Sequence, residues 1–440
     1  MSTTPRPPRQ TTRAVLASWL GTTIEYYDFA IYGFAASVLF AKLFFPAADP
    51  VVGTLISLSS FAVGYVARPL GALVFGHLGD RVGRKSILVI TLTGMGVSTV
   101  LIGLLPTYGQ IGVAAPILLV AARILQGISL GGEYGGAVLM TVEHSAPGRR
   151  GFFGSVVNTG TTAGMMLANG VFLLVVQLPE AQLYSWGWRV PFLLSAVLVI
   201  VGLVVRTSLH ESPDFADIKQ QGEVHKLPIV DVLRRSGGMV ALVTLGTVAA
   251  GVAFTMASVF SLTYGKLALG KSNTAMLGVL LPAAFVVLIC VPWFGRVADR
   301  VGVRRVFLAG AAGLVVVPFA WFALLNTRQY GLMLLGFVLL FIAYSANYAV
   351  FPAFFSQVFP TPLRFSGMSI GFTIGTIAGN AFAPTIGASI LEATGGWTGI
   401  AWYMTGVGIV TLVAGYLMPA VRPEGTVAAQ EKLGTEAAAG

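Results

Sequence analysis

Gly76-His77-Leu78-Gly79-Asp80-Arg81-Val82-Gly83-Arg84-Lys85 and Gly295-Arg296-Val297-Ala298-Asp299-Arg300-Val301-Gly302-Val303-Arg304-Arg305 are two versions of one loop. The second begins 219 positions after the first, about half the length of the 440-residue chain. Each closes one apolar run and opens another. A loop repeated at the same place in each half is what a duplicated helical unit leaves behind. Repeated halves with a site between them are a transporter architecture.

The composition around these loops points the same way. Of all residues 55% are hydrophobic and only 10% charged, with a mean hydropathy of +0.82, whereas a soluble domain carries about a quarter charged residues. A surface so poor in charge belongs in lipid. A spanning helix needs about 20 mostly apolar residues. Runs of that kind fall at 14–40, 52–76, 86–106, 113–140, 152–178 and 188–206, then at 238–264, 273–294, 306–325, 330–355, 367–391 and 398–418. Helices are expected, since each satisfies its own backbone groups and no two-residue alternation suggests a barrel. The expected fold is all-α and integral to the membrane, with twelve transmembrane helices in two pseudo-symmetric six-helix bundles.

Basic residues occur on alternate loops. One set of loops holds Arg81, Arg84, Lys85, Arg149 and Arg150, the central segment with Arg206, Lys219, Lys226, Arg234 and Arg235, then Arg296, Arg300, Arg304, Arg305 and Arg364. The other holds only Lys42, Arg189, Lys266, Lys271 and Arg328. The positive-inside rule then places both termini in the cytoplasm. Residues 1–13 read as a cytoplasmic tail feeding a retained first helix, 14–206 as the first bundle, 207–237 as a cytoplasmic central loop that is either a mere linker or carries helices on the inner surface, 238–418 as the second bundle and 419–440 as a second cytoplasmic tail.

A net charge of +10 raises the question of nucleic acid, but basic residues confined to alternate loops orient helices and do not form a binding face, so no nucleic-acid partner is expected. Cys290 is the single cysteine and the four histidines are far apart, so neither a disulfide nor a metal site is expected.

Ionisable residues within the spans are the clearest functional signal, because a charge at a helix centre costs about 2.5–3.5 kcal/mol even on insertion scales. Five stand there: Glu25, Asp28, Arg68, Arg123 and Glu133, all in the first six spans. Ser18, Thr22, Glu25 and Tyr32, with Asp28 beside them, recur at helical spacing. Gln126 and Glu133 share a face of the fourth span, and Asn158, Thr162, Met165 and Asn169 form a stripe on the fifth. These stripes are expected to line an aqueous cavity.

A carboxylate leaving water favours its neutral form, so Glu25, Asp28 or Glu133 would accept a proton. Arg123 would hold an anionic substrate, since guanidinium suits carboxylates, with Tyr32, Gln126 and Asn158 nearby. Protonating a carboxylate near Arg123 removes a competing anion and couples the two ligands. The plainer alternative is that Arg123 pairs with Glu25 or Asp28 to hold helices together. Arg68, followed by Pro69, either contacts substrate or gates the cavity. Tyr344 and Asn347, with Tyr348 and Asn380, either hydrogen-bond substrate or join helices. In the repeated loops Asp80, with Arg81, Gly83, Arg84 and Lys85 after Gly76, and Asp299, with Arg300 and Arg304, would form a cytoplasmic gate in which the acid caps a neighbouring helix N-terminus. Alternatively these loops only set topology.

The paired G-x-x-x-D-R-x-G-R-K runs resemble the loop signature of the major facilitator superfamily. Ile24-Glu25-Tyr26-Tyr27-Asp28-Phe29, Val66-Ala67-Arg68-Pro69-Leu70-Gly71, Arg123 through Gln126-Gly127 to Gly131-Gly132-Glu133, Trp186-Gly187-Trp188-Arg189-Val190-Pro191-Phe192, Glu211-Ser212-Pro213 and Phe359-Pro360-Thr361 resemble its metabolite:H+ symporter branch, which includes shikimate, 2-oxoglutarate, citrate and proline/betaine carriers. The fifth span lacks the proline of drug/proton antiporters. The resemblance implies uptake of a small organic acid or zwitterion with protons by alternating access. It also implies a chain functional as a monomer in a bacterial inner membrane and driven by the proton gradient without a cofactor. An exporter or exchanger on the same fold is the alternative. A receptor would need a signalling domain, an ATP-driven pump a phosphate loop, and an enzyme a catalytic constellation; none is recognisable.

Overall fold

Apolar periodicity becomes helix almost everywhere in the computed structural model, which describes residues 8–47, 50–131, 133–145, 148–207, 228–360 and 363–419. The first half contains α1 (Pro8–Val38), α2 (Pro50–Val66 and Arg68–Val82), α3 (Arg84–Leu104), α4 (Ala114–Leu130 and Glu133–His144), α5 (Arg150–Val175) and α6 (Val190–Thr207). The second contains α7 (Pro228–Thr255, continued by Ser261–Leu267), α8 (Asn273–Val301), α9 (Val303–Asn326), α10 (Tyr330–Tyr348 and Phe351–Val358), α11 (Arg364–Thr376 and Ala383–Thr394) and α12 (Thr398–Leu417). No strand occurs among the described residues. Leu174, Ile289 and Val316 are about 70% exposed on the outer surface, an apolar exterior that water would penalise and lipid tails accept.

The interruptions have local causes. Pro69 and Pro352 lack the N–H that a continuous helix needs and sit in the first turns of the segments after the breaks in α2 and α10. In α7 a residue with non-helical angles, Ser236 (φ −129°, ψ 16°), separates a leading stretch from the span proper. α7 and α11 each contain a wide π turn, at Met256–Phe260 and Ile377–Ala381. The helix that opens at Pro8 begins inside the stretch read as a tail, and Pro228 opens helix inside the stretch read as the central loop. Residues 1–7, 208–227 and 420–440 of those segments lie outside the described residues.

Eight helices, α3 and α6 to α12, are long and apolar enough to cross a membrane by length and composition among the described residues. The other four have a physical reason to fall short. Their interiors carry Glu25, Asp28, Arg68, Arg123, Glu133 and the Asn158–Asn169 stripe, and α2 and α4 are divided besides. The cores reflect the same difference. Apolar packing is continuous through the second half, while in the first it is split into smaller clusters with the buried charges between them.

The repeated loops are alike in backbone as well as sequence. Gly83 has φ 119° and Gly302 has φ 100°, a region closed to side chains with a Cβ, and each joins two helices at one end of the molecule. That end is the motif end. The halves meet there and at mid-depth through α5 against α8, α2 against α11, and the second segment of α10 against α4 and α5.

Candidate functional site

Glu25, Asp28, Arg68, Arg123 and Glu133 are all buried inside the first bundle, and two of the three carboxylates are held by guanidinium. Glu25 pairs with Arg68, Oε1 lying 3.2 Å from Nη2. Glu133 pairs through both its oxygens with Arg206, and Thr91 Oγ1 donates to Glu133 Oε2 at 2.8 Å. Arg206 also donates to the carbonyl of Leu88. Sequence reading placed Arg206 with the cytoplasmic loop charges, and the structure corrects this: it is 1% exposed, a sixth ionisable residue in the bundle. A basic residue in the last turn of a span looks the same in sequence whether it turns outward or inward.

Asp28 is held differently. Thr99 Oγ1 donates to its Oδ2 and Ser195 Oγ to its Oδ1, both at 2.6 Å. Thr99 in turn accepts from Gln126 Nε2 at 2.7 Å, and Gln126 Oε1 accepts from Arg123 Nη1. A chain of hydrogen bonds therefore runs from the Arg123 cation to the Asp28 anion, every donor pointing the same way. Arg123 makes no ion pair with Glu25 or Asp28 among the described residues, contrary to the pairing alternative. Its guanidinium lies over the rings of Tyr32, Phe29 and Phe61, 4.1, 4.3 and 5.2 Å from their centroids. Arg68 lies over Phe29 and Tyr65, at 4.2 and 4.7 Å. Phe29 is thus contacted by two guanidinium groups. Such contacts are worth about 0.5–2 kcal/mol each, most where water is excluded.

A cavity of about 720 Å³ lies between α1, α2, α5 and α7, toward the end opposite the motif loops, and is lined by Tyr26, Phe29, Phe34, Phe61, Tyr65 and Phe254 among others. A smaller one of about 300 Å³ is lined by Tyr344, Tyr348, Phe372, Thr376 and Asn380, with Tyr26 and Phe254 shared between the two. Tyr26 and Phe254 meet edge to face at 6.2 Å. The stripe of Ser18, Thr22, Glu25 and Tyr32, expected to line the cavity, does not do so here. Ser18 donates to the carbonyl of Ala137 at 3.0 Å, and Tyr32 and Ser60 share a hydrogen bond at 2.7 Å. These polar groups are satisfied by neighbouring helices, and the aromatic side of α1 faces the cavity instead. The charges stand one ring's thickness behind it. On α5, Met165 and Asn169 do line the cavity.

Asn158 Nδ2 donates to the carbonyl of Tyr348 at 2.8 Å, joining the halves. Tyr344 stacks on Tyr348 and Phe254, at 5.1 and 5.7 Å. Asn347 donates to the carbonyl of Phe307 at 3.2 Å and so joins α10 to α9. Asn380 accepts from Thr255 at 3.2 Å, tying α11 to α7.

At the motif end Asp299 accepts from the backbone N–H groups of Gly151 and Phe152, at 2.8 and 2.9 Å. An acid from one half thereby caps the first turn of α5 in the other, where unpaired N–H groups and the helix dipole favour negative charge. Arg296 lies over the Phe152 ring at 4.4 Å. Arg304 instead donates to the carbonyl of Tyr416, within its own half, and Arg300 is exposed. Lys85 donates to the carbonyl of Thr207 at 2.9 Å. The side chains at Gly76, Asp80, Arg81 and Arg84 lie outside the described residues.

Thr99, Ser195, Thr91 and Arg206 escaped the sequence reading, as did the aromatic wall. Lone hydroxyls in apolar runs carry no signal of their own, and Tyr26 and Phe29 stood out only as part of a resemblance.

Comparison with known proteins agrees with this geometry. A family profile described as Major Facilitator Superfamily matches residues 18–379 and 266–439. The chain is 40% identical to the Escherichia coli (strain K12) inner membrane metabolite transport protein YhjE, over 91% of this chain and 92% of that one. It is 34% identical to the shikimate transporter of the same organism, over 92% and 94%, and 34% identical to its proline/betaine transporter, over 92% and 83%. In three dimensions it resembles the proton:xylose symporter XylE, with a TM-score of 0.76 over 93% of this chain and 95% of that one at 15% identity. It is a membrane transporter and not an enzyme, and it belongs to the Major Facilitator Superfamily, within the metabolite:H+ symporter branch.

Proposed function

We propose that the protein takes up a small organic acid or zwitterion by proton-coupled symport in a bacterial inner membrane, driven by the proton gradient, with both termini in the cytoplasm and the motif end facing inward. The surroundings of Asp28 are the observation that carries this. Glu25 and Glu133 are each paired with a guanidinium, Arg68 and Arg206, so that a proton on either would compete with an ion pair. Asp28 accepts, among the described residues, from two neutral hydroxyls and no cation. A hydroxyl both donates and accepts, so Asp28 takes a proton without leaving a buried donor unmatched. Thr99 has a second acceptor ready, the carbonyl of Met95 at 3.1 Å. When Asp28 is neutral, the bonds through Thr99 and Gln126 no longer connect Arg123 to an anion, and Arg123 attracts the anionic solute more strongly. Binding of proton and solute is thereby linked in both directions.

Proteoliposomes with an imposed inward proton gradient test the assignment. Asp28→Asn, which keeps shape and hydrogen bonding, is expected to abolish gradient-driven accumulation while solute exchange continues. Full accumulation by Asp28→Asn would remove Asp28 from the coupling role, and full accumulation by both Asp28→Asn and Glu25→Gln would remove α1 from it altogether.

A further inference from the structure

We infer that the solute is a monoanion whose single carboxylate is attached to a flat, largely apolar ring, in preference to a quaternary-ammonium zwitterion or a dicarboxylate. This deepens the symport proposal and rests on it.

Charge speaks first. Among the described residues no Asp, Glu, Lys, Arg or His lines either cavity. The nearest charges are Arg68 and Arg123, stacked on the cavity-lining rings Phe29, Phe61 and Tyr65. Glu25 balances Arg68, and no carboxylate contacts Arg123 among the described residues. With Asp28 protonated, as the symport proposal has it, one cation stands uncompensated behind the wall, enough for one carboxylate. Each of the two arginines also keeps a buried Nε–H without a hydrogen-bond partner among the described residues, a donor a carboxylate would satisfy. A second carboxylate would have to displace Glu25 from Arg68. A quaternary ammonium prefers the faces of aromatic rings. Here the rings nearest the charges already hold guanidinium, and like charge would repel it.

The wall supplies the second half of the inference. Tyr26, Phe29, Phe34, Phe61, Tyr65 and Phe254 surround the larger cavity, and its neutral polar side chains beyond the tyrosines are Asn169, Thr255 and Ser258. So many rings favour a flat apolar body, by stacked or edge-to-face contact. A solute rich in hydroxyls would leave several of them unmatched.

Ligand-induced thermal stabilisation of the purified full-length protein, with counterflow in proteoliposomes, tests this using benzoate, cyclohexanecarboxylate, succinate and glycine betaine. Benzoate is expected to bind at least ~10-fold more tightly than succinate or betaine, about 1.4 kcal/mol. Cyclohexanecarboxylate should fall between them. Arg123→Met should weaken benzoate by ~10-fold or more relative to any weakening of cyclohexanol, a neutral ring probe that a merely structural loss would affect equally, as expected for loss of a charge-assisted bond. Tighter binding of betaine or succinate than of benzoate, or no binding of benzoate, overturns the inference. If betaine or succinate accumulates with protons, the symport proposal stands and only the ring-monocarboxylate inference falls. If benzoate binds and exchanges without any proton-driven accumulation, the symport proposal falls and the solute class stands.

Discussion

Among the buried carboxylates, the partner decides the role. Glu133 is gripped by Arg206 on both oxygens and by Thr91. Removing one member of such a buried pair strands the other, at a cost of about 3–5 kcal/mol, whereas replacing both with apolar groups can be nearly neutral. Glu133→Gln alone is therefore expected to lower the melting temperature markedly, and Glu133→Leu with Arg206→Met to restore most of it. A single variant as stable as the parent would mean that the ion pair contributes nothing. At Asp28 the expectation is opposite: Asp28→Asn should leave the melting temperature nearly unchanged, because two hydroxyls satisfy an amide as well as a carboxylate. The sequence made the existence of these charges plain, since apolar runs expose every exception. It could not make their pairing plain. Which guanidinium meets which carboxylate depends on helix rotation, and Arg206, at a span end, looked like any loop arginine.

Helix crossings set the distances between those side chains. α2 and α4 cross where Gly64 meets Gly127. A Cβ added at Gly127 would stand 2.9 Å from the Ala67 Cβ, and one added at Gly64 would stand 2.7 Å from Cζ of Arg123. Only the absence of a side chain at Gly64 leaves Arg123 its place over Phe29 and Phe61. Gly64→Ala is expected to weaken solute binding ~10-fold with little loss of folded protein, since the tip of a flexible side chain yields more easily than backbone. Titration of ligand-induced stabilisation would measure this, and unchanged affinity would show that Arg123's position is not critical. Twelve apolar runs were legible as spans because length and hydropathy are properties of a segment alone. Pro69 marked a kink in α2, but the break in α4 was not legible, because Gly131 occurs within a run that remains apolar across it.

Over the whole molecule, the two halves are joined most firmly at the motif end. The Asp299 cap on α5, the close approach of Gly151 and Gly295, and the Asn158 bond to α10 all lie on that side of the aromatic chambers or level with them. A Cβ at Gly151 would stand 2.6 Å from Oδ1 of Asp299 and 2.8 Å from the carbonyl of Gly295. Gly151→Val is accordingly expected to hold the halves apart there. Asp299→Ala should do so more weakly, by losing the cap. Ser155, fully buried beside Gly295, offers a reporter. In a background with Cys290 replaced by serine, Ser155→Cys should react slowly with a membrane-permeant thiol reagent, and several-fold faster once Gly151→Val or Asp299→Ala is added. Equal rates would mean that these contacts do not keep this side shut. The duplicated loop announced a contact between halves from the sequence, but its partner, the bare first turn of α5, could be found only by folding.

The wide turns in α7 and α11 have a mechanical consequence. The wide turn of α11 packs against α7 just before that helix's own wide turn, with Gly251 on Gly379 and Thr255 bonded to Asn380. A π turn spends one more residue than an α turn and loosens the helical ladder locally. Two such weak points about one helical turn apart behave like offset knuckles of one hinge, and Ala383–Thr394 packs on the α7 wide turn. The segments beyond them, Ser261–Leu267 and Ala383–Thr394, are therefore free to bend together while the motif-side segments stay clamped. Amide hydrogen exchange should accordingly speed up at this shared level in both helices at once, and slow at both when a solute fills the chamber.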